Sequence, residues 1–342
     1  MDARCRSHTR HPGKLRLLFA GLTEKPIPSV PSCSVVICTL NPSVTTFPRV
    51  LSALQAQTLP VSDWELIVVD NGSSPPVSTW VDLTWHTQSR FVREMTPGHL
   101  AARICGTRES TSPLIVFVDD DNLLCPTFLD DAVRIFAEYP RVGVWSGQSV
   151  PEFSTPPPDW TRAYWCLLAI AEFESDEIST HWTPDLVLPI GAGMCVRQSL
   201  MQDYTRLCEE NPARRLLGRK GGILMSSDDH DIALCAFELN FVTARFTSLK
   251  LTHVVPPFRL EAPYLLRLMT QMAASREVLA SLHPDFSHGK PSPLPHWLRV
   301  LRHWLRLPGF ERSRRLATLE GERLGRKALA QVKSISTPHP PF

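Results

Sequence analysis

Residues 114–121 read LIVFVDDD, five apolar residues followed by three consecutive aspartates. The apolar run has the length and the β-branched character of a strand that is buried on both faces. Carboxylates at the end of such a strand repel one another unless a cation or hydrogen-bond donors neutralise them. Mg²⁺ or Mn²⁺ is typically held by one or two carboxylates and completes its shell with phosphate oxygens and water. The stretch therefore predicts a metal site at a strand end, and a solvated acidic turn is the alternative that this motif alone leaves open.

Two further strands of the same character lie upstream. Residues 33–39 read CSVVICT and residues 65–70 read ELIVVD, and both are short apolar runs. Helical spacing of apolar residues over 47–57 separates them, and a second helix is predicted over 98–109. Strands that alternate with helices predict an α/β fold with a mostly parallel sheet covered by helices on both faces.

Each predicted strand ends in polar side chains. Thr39 and Asp70 close the first two strands, and the aspartates 119–121 close the third. In open α/β sheets ligands bind beyond the carboxyl ends of the strands, so these residues are expected to face one crevice. Asp70 is followed by Asn-Gly-Ser-Ser, a run suited to a tight turn, in which Gly72 lets a ligand approach the backbone closely. An ordinary loop is the alternative for this turn.

Length and charge restrict the class of protein. The chain has 342 residues, of which 43% are hydrophobic and 20% charged, so it can bury a large core and is neither disordered nor fibrous. Its net charge of +2 is too small to indicate a nucleic-acid partner. Residues 1–25 carry six basic and two acidic side chains and residues 297–333 carry ten and three, so the middle is acidic. That distribution suits a protein that holds a cation inside and meets an anionic surface outside, although solvated charge would look similar.

The number and spacing of the cysteines and the hydropathy of the chain indicate the cellular location. Nine cysteines are scattered without a CxxC pair, which is typical of reduced thiols in a cytosolic protein. The apolar run 15–20 is short and interrupted by Arg16, so no signal peptide is predicted. No apolar run approaches the ~18 residues that span a bilayer. We expect a cytoplasmic protein that meets the cytoplasmic face of the membrane only if its C-terminal part binds lipid.

The polar strand ends belong to a series of motifs in a specific order. Successive motifs of the family 2 glycosyltransferases resemble residues 34–41 (SVVICTLN), 64–73 (WELIVVDNGS), 98–103 (GHLAAR) and 117–121 (FVDDD). The resemblance extends over residues 33–260. It implies the GT-A fold, a Rossmann-like and mostly parallel sheet flanked by helices, and an inverting transfer of sugar from a nucleotide-diphosphate sugar.

The resemblance assigns roles on the donor side. Residues 117–121 match the family's DxD motif, which places Asp119 near the ribose and Asp121 on a divalent metal ion, Mn²⁺ or Mg²⁺. The other donor-side residues that it implies are Thr39, Asn41, Asp70, Gly72, Arg103 and Asp120. The resemblance favours a UDP-sugar as the donor. Ile104 stands where the family often has asparagine, a departure that concerns donor contacts and not the reaction class.

Residues 227–232 (SDDHDI) resemble the family's (E/D)D-x-D-L catalytic segment. The match places Asp229 as the general base and Asp228 where the family usually has glutamate, while the family's preceding Gly-Gly is Ser226-Ser227 here. A carboxylate base on the far face of the sugar takes the proton of the acceptor hydroxyl, and attack from that face inverts the anomeric centre. Acids in a first helical turn are also ordinary helix-start chemistry, and both interpretations can hold together.

Further acceptor-side residues follow from the same resemblance. Residues 189–194 (PIGAGM) are similar to the family's glycine-rich stretch and contribute Gly191 and Gly193. Trp160 is a candidate for packing on a sugar, although tryptophan more often fills a core. His253 resembles the late histidine that helps bind metal or diphosphate in many GT-A enzymes, with a structural role as the alternative.

Proline clusters mark the predicted domain boundaries. A basic, proline-rich tail covers 1–31, and a GT-A glycosyltransferase domain covers 32–283. Its donor half is 32–150 and its acceptor half 151–283. A proline-rich linker and a basic, amphipathic helical extension cover 284–342.

The C-terminal extension contains an unusual helix. Residues 296–307 read HWLRVLRHWLRL, with tryptophan and leucine on one helical face and arginine elsewhere. Such a helix is suited to bind an anionic lipid surface, and membrane binding would bring the enzyme to a lipid-linked acceptor. Packing on the catalytic domain or on a second subunit is the alternative. Residues 311–333 predict a further, solvated basic helix.

Together these features predict a metal-dependent inverting glycosyltransferase whose acceptor is a glycan or a lipid-linked sugar, in cell-surface glycan or polysaccharide biosynthesis. Two alternatives remain open, a catalytically silent GT-A scaffold that acts as a binding partner and a sugar-phosphate nucleotidyltransferase. The latter would normally need a Gly-rich, basic phosphate loop after the first strand, and residues 39–46 contain no Gly, Lys or Arg.

Overall fold

A computed structural model describes residues 30–183, 186–286, 295–307 and 309–336, with the backbone alone at 286, 304–306, 333, 335 and 336. The predicted tail up to residue 29 and the linker residues 287–294 lie outside this part of the chain. The predicted division at 31 and 284 stays a prediction.

The predicted strands and helices are present, with ends that shift by at most three residues. Strands in the described ranges are β1 (Cys33–Thr39), β2 (Trp64–Asp70), β3 (Ser89–Arg93), β4 (Leu114–Asp119), β5 (Asn122–Leu124), β6 (Val142–Phe153), β7 (Glu177–Ser179), β8 (Cys195–Arg197) and β9 (Val242–Val255). Helices there are α1 (Phe47–Gln55), α2 (His99–Glu109), α3 (Phe128–Glu138), α4 (Gln198–Glu210), α5 (Asp228–Glu238), α6 (Ala262–Leu282), α7 (His296–Arg306) and α8 (Gly309–Ser336).

All of these strands join one mixed sheet in the order β3-β2-β1-β4-β8-β6-β9-β5, with β7 paired to β9. The first four strands of that order run parallel, and β8 is antiparallel to both β4 and β6. Thr39 lies beside Asp70 in register, and Cys38 lies beside Asp119. Three strand ends therefore meet at one edge of the sheet, as the alternation of strands and helices predicted.

The antiparallel part of the sheet brings a distant residue to this edge. Strand β5 follows the three aspartates at once and pairs with β9, so that Asn122 lies opposite His253. The Val254 backbone N donates to the Asp121 backbone O at 2.9 Å. Strand pairing thus places His253 beside the end of β4 although the two are far apart in sequence.

Both faces of the parallel strands β1, β2 and β4 are buried, whereas the edge strand β3 is half-buried. Val35 and Ile37 pack into an apolar cluster with α1 and α3, whereas Val36 and Ile67 pack into a second cluster with α2 and α4. Burial on both faces explains why these strands read as continuous apolar runs rather than as alternating patterns. Helix α2 lies close to β1 at Gly106, where a Cβ atom would come within 2.3 Å of Val36 Cγ1.

The long C-terminal helix α8 packs on α6. A Cβ atom at Gly321 would lie 2.1 Å from the Thr270 carbonyl O, and one at Gly325 would lie 2.5 Å from the Ala274 carbonyl O. The prediction of a solvated helix over 311–333 is therefore wrong for one face, because these two glycines, one turn apart, let the backbones approach closely. Leu319 of α8 is also buried. Among the described residues, no helix combines the length and the apolar character that crossing a membrane requires.

Candidate active site

The three aspartates at the end of β4 have different surroundings. Asp119 Oδ1 lies 3.6 Å from His99 Nε2. Asp120 accepts a hydrogen bond from the Thr39 hydroxyl of the neighbouring strand. Asp121 lies on the other side of the strand end, against β9. The DxD motif therefore contacts both α2 and the antiparallel half of the sheet.

These surroundings separate the pKa values of the aspartates. Burial and the charge of Asp121 raise the pKa of Asp120 to about 6. Burial also acts to raise the pKa of Asp119, but His99 and Arg103 outweigh it and lower the pKa to about 2. For Asp121 burial is likewise outweighed, by His253 and Arg259, so its pKa is lowered. The outer two carboxylates are thus ionised at neutral pH, and the central one is the first to take up a proton.

Asp121 and His253 form a pair that a divalent ion fits. Asp121 Oδ2 lies 3.5 Å from His253 Nε2, and adjacent ligands of an octahedral ion lie roughly 3 Å apart. The buried Nδ1 of His253 has no hydrogen-bond partner among the described residues, so only Nε2 is engaged. Carboxylate suits both Mg²⁺ and Mn²⁺, whereas imidazole binds transition ions more readily, so this donor pair fits Mn²⁺ better. Arg259 Nη1 lies 3.1 Å from Asp121 Oδ2 and 3.3 Å from His253 Nε2, so an ion held by this pair would take the place that the guanidinium occupies here.

Asp70 lies inside the turn that follows β2. Its two carboxylate oxygens accept from the backbone N atoms of Ser73 at 2.7 Å and Val77 at 3.0 Å. Burial acts to raise the pKa of Asp70, but these hydrogen bonds and the charge of Arg93 lower it. Asp70 therefore shapes the turn, in which Gly72 has a φ of +91° and open space where a side chain would be.

Asn41 connects this turn to the end of β1. Its backbone has a φ of +50°, a conformation that asparagine tolerates better than most residues. The Asn41 side-chain Oδ1 accepts from the Ser74 backbone N at 2.9 Å, and the Asn41 backbone N donates to Ser73 Oγ at 2.8 Å. The two strand-end loops are thus held together beside Thr39.

Arg103 of α2 holds the start of α5. Its Nη1 donates to Asp228 Oδ2 at 2.9 Å, and both side chains are buried. Its Nη2 donates to the Gly191 carbonyl O at 3.3 Å. Burial acts to raise the pKa of Asp228, but the charge of Arg103 and the His99 ring lower it well below its ordinary value. The predicted donor-side arginine therefore bridges the two halves of the site.

Asp229 is fixed by backbone donors. Its Oδ2 accepts from the Gly191 N at 2.8 Å and its Oδ1 from the His230 N at 2.8 Å, while the side chain stays half-buried. Gly191 is required for space, because a Cβ atom there would lie 2.8 Å from Arg103 Nη2 and 3.2 Å from Asp229 Oδ2. Ser227, at the start of α5, has a φ of +139°, a region that favours glycine. This conformation gives a physical reason for the family's glycine at that position.

His99 is the site residue that sequence reasoning missed. Its Nδ1 lies 3.4 Å from Asp228 Oδ2, in addition to the contact of Nε2 with Asp119. One imidazole ring therefore lies between two acidic motifs that are more than 100 residues apart in sequence, at Asp119 and Asp228. The only signal in the sequence is the position of His99, directly after Gly98 and one helical turn before Arg103.

The sequence model of the glycosyl transferase family 2 matches residues 34–204, which is half of the chain. The chain belongs to this family. It is a glycosyltransferase that uses a nucleotide sugar, and the predicted GT-A fold is confirmed. No sequence among the curated proteins matches this transferase.

The solved structures that are similar to the transferase include two glycosyltransferases with bound nucleotide sugars. The mannosyltransferase PcManGT from Pyrobaculum calidifontis, in complex with GDP-Man and Mn²⁺, is 18% identical, with 91% of this chain and 78% of that chain covered and a TM-score of 0.52. Residues 1–349 of TarS from S. aureus, in complex with UDP-GlcNAc, are 15% identical, with 87% and 91% covered and a TM-score of 0.46. At this identity the likeness to PcManGT shows a common fold.

Two predicted acceptor-side residues of the transferase lie apart from the acidic cluster. Gly193 lies in the core, where a Cβ atom would come within 2.7 Å of the Leu251 side chain. Trp160 is 45% exposed, and its ring centroid lies 5.1 Å from that of Phe310 on α8. Gly193 is thus a packing residue, while Trp160 offers a partly open ring beside the C-terminal extension.

A buried network under α5 completes the transferase's site. Asp231 accepts from the Tyr204 hydroxyl at 2.8 Å and from Arg214, and it lies 2.6 Å from His283 Nε2. Asp231, Cys235 and His283 place ligand atoms within 4.8 Å of one another. Arg214 donates to both Asp231 and Cys235, so the protein itself supplies the cation at this place. The network anchors the helix that carries Asp229.

Proposed function

We propose that the protein is a metal-dependent inverting glycosyltransferase in which Asp121 and His253 hold a divalent ion and Asp229 is the general base. The observation that carries the proposal is the convergence of the DxD motif, Arg103 and the start of α5 on one edge of the sheet. A divalent ion bound there neutralises the charge that develops on the leaving diphosphate. The Mn²⁺ in PcManGT supports this part of the proposal.

Asp229 is suited to take the proton of an acceptor hydroxyl. A hydroxyl is a poor nucleophile, so it must lose its proton as it attacks the sugar. Each oxygen of Asp229 accepts a single backbone hydrogen bond and has a further lone pair for the acceptor proton. Direct attack by the activated hydroxyl inverts the anomeric centre and needs no covalent intermediate.

Arg103, Asp228 and Asp119 support the reaction without exchanging a proton. Arg103 compensates the negative charge of Asp228 and so allows a second acid to lie next to the base. Asp119 faces the donor side and is proposed to contact the ribose. Asp70 and Asn41 shape the loop at which the nucleotide is proposed to bind, with the open backbone of Gly72 at its surface.

A thermal-shift titration with nucleotide sugars tests this function. UDP- and GDP-sugars are each tested with Mn²⁺, with Mg²⁺ and with chelator. A donor at roughly 100 times its Kd stabilises the native state by about 2.7 kcal/mol, which is easily measured. We expect this shift for one nucleotide class and only with metal. Equal stabilisation by the donor in the presence of chelator would contradict the proposed role of Asp121 as a metal ligand. If no donor stabilised the protein, the alternative of a catalytically silent scaffold would be favoured.

The acceptor is proposed to be a glycan or a lipid-linked sugar, and α7 is proposed to bind an anionic membrane surface. Trp297 is 64% exposed and Leu301, one turn later, is 45% exposed, so the apolar face of α7 is open to solvent there. Arg299 pairs with Glu322 at 2.7 Å and ties α7 to α8. Residues 295–315 contain six arginines and one acid, which complements anionic lipid headgroups. Trp304 and Leu305, on the predicted apolar face, lie where only the backbone is described.

Vesicle flotation tests the membrane contact. Wild-type protein is expected to float with vesicles that contain phosphatidylglycerol and not with pure phosphatidylcholine vesicles, because arginines and apolar side chains act together. Trp297→Gln with Leu301→Gln should abolish flotation. The matched control is Ile178→Gln with Met95→Gln, which removes two exposed apolar residues elsewhere. Equal flotation of both variants, or dimerisation that depends on Trp297, would contradict the proposal.

A further inference from the structure

His99 occupies a defined place between the donor and acceptor halves. It is the first residue of α2, and its backbone N donates to the Arg219 carbonyl O at 2.9 Å. Gly98 before it has a φ of +135°, which directs the chain into the helix. The imidazole is 25% exposed, and each of its nitrogens faces a different carboxylate.

The chemistry of the two partners decides the protonation of this ring. At 3.6 Å to Asp119 and 3.4 Å to Asp228 the two contacts are ion pairs that are longer than ordinary hydrogen bonds, and only an imidazolium carries the positive charge that attracts both carboxylates at once. Burial and the charge of Arg103 act to lower the pKa of His99, but the two carboxylates outweigh them and raise it. The charged groups around the ring are Asp119 on β4, Asp228 on α5, Arg103 on α2 and Arg219, which acts on Asp119.

Arg103 does not replace His99 in this arrangement. Its guanidinium contacts Asp228 and the Gly191 carbonyl. In the described ranges, Asp119 has an ion pair with His99 alone. If His99 were neutral, no positive charge of the ring would offset the two carboxylates. The repulsion between Asp119 and Asp228 would then favour a larger distance between them.

We propose that His99 is a positioning residue of the transfer reaction: as an imidazolium it holds the donor-side carboxylate of Asp119 and the acceptor-side carboxylate of Asp228 at a fixed separation. Asp228 directly precedes Asp229, whose carboxylate is bound by the Gly191 N, so a shift of Asp228 displaces the base. This inference rests on the proposed function of Asp229. In this proposal a single side chain, His99, sets the distance between the DxD motif and the start of α5.

Steady-state kinetics of His99→Gln test the proposal. Loss of a group that orients the ligands of a metal site lowers activity roughly 10- to 100-fold, and we expect the same range for a group that orients these carboxylates. We expect kcat to fall by this factor and His99→Arg to restore part of it, because a guanidinium fork can donate to two carboxylates. The control His181→Gln removes an exposed histidine outside the cluster. Unchanged kcat in His99→Gln, or equal loss in His99→Gln and His99→Arg, would overturn the proposal.

The pH dependence separates positioning from a merely structural role. A raised pKa means that protonated His99 stabilises the native state fully below its ordinary pKa of 6.5 and that this contribution is lost as pH rises through the raised value. Wild-type kcat should therefore fall on the alkaline side, and His99→Gln and His99→Arg should lack that decline. An alkaline decline that persists in both variants would contradict the role.

An NMR titration tests His99 independently of turnover. The Cε1–H resonance of His99 is identified as the one that is missing in the spectrum of His99→Gln. The pH midpoint of the titration of this resonance is expected above 6.5. A midpoint at or below that value would overturn the inference even if the enzyme is active. A raised midpoint in a protein without transferase activity would instead count against the proposed function and leave the imidazolium bridge in place.

Discussion

Replacing Asp229 with asparagine is expected to lower kcat by about 10²- to 10⁴-fold, the usual contribution of a positioned general base. The asparagine oxygen can still accept one backbone hydrogen bond, so the start of α5 should keep its shape. What is lost is the ability to take up the proton of the acceptor hydroxyl. Donor binding, measured by the metal-dependent thermal shift, should stay near the wild-type value because Asp229 acts on the acceptor.

The matched control for this variant is Asp203→Asn. Asp203 lies on α4 and pairs with Arg206 at the surface, away from the acidic cluster. Its loss removes one carboxylate without touching the site, so kcat should not change. An Asp229→Asn enzyme that keeps its turnover, or one that loses donor binding in parallel, would show that another group is the base.

Replacing Asp121 with asparagine is expected to abolish metal-dependent donor binding and to lower kcat by at least about 10²-fold, since a bound cation supplies several kcal/mol of charge stabilisation. The carboxylate charge that attracts the ion is removed, while His253 alone is a weak site for Mn²⁺. Chelator should reduce the wild-type enzyme to the level of the variant. It should then have no further effect on the variant.

Asp131→Asn is the control for the loss of a carboxylate. Asp131 lies on α3 and pairs with Arg134, three residues later on the same helix. This control should keep both its activity and its response to chelator. A metal-dependent thermal shift that survives in Asp121→Asn would assign the ion to other ligands and leave Asp121 as a partner of Arg259.

Local sequence predicted the donor half of the fold well. The runs that end in Thr39, Asp70 and Asp119 are continuous apolar strands because both of their faces are buried, and that pattern is visible without a structure. Parallel pairing then follows from the intervening helices. The convergence of the three strand ends was therefore predictable from the order of elements.

The contacts between distant segments were not predictable in the same way. Asn122 and His253 become neighbours through the pairing of β5 with β9, and neither residue signals its partner locally. The packing of α8 depends on Gly321 and Gly325, which in sequence look like weak points of an exposed helix. His99 appeared as an ordinary residue at a helix start.

The amino-acid sequence alone determined the alternation of buried strands and helices, the order of the acidic motifs and thereby the class of enzyme. These properties depend on periodicity and residue type, which act over a few neighbouring positions. Only the tertiary structure decided which carboxylate faces which cation: Asp119 and Asp228 meet at His99, Asp121 meets His253 and Arg259, and Asp229 meets the Gly191 backbone. Such pairings depend on the register of strands and the placement of helix ends in space, because electrostatic contacts form between whatever groups the packed core brings together.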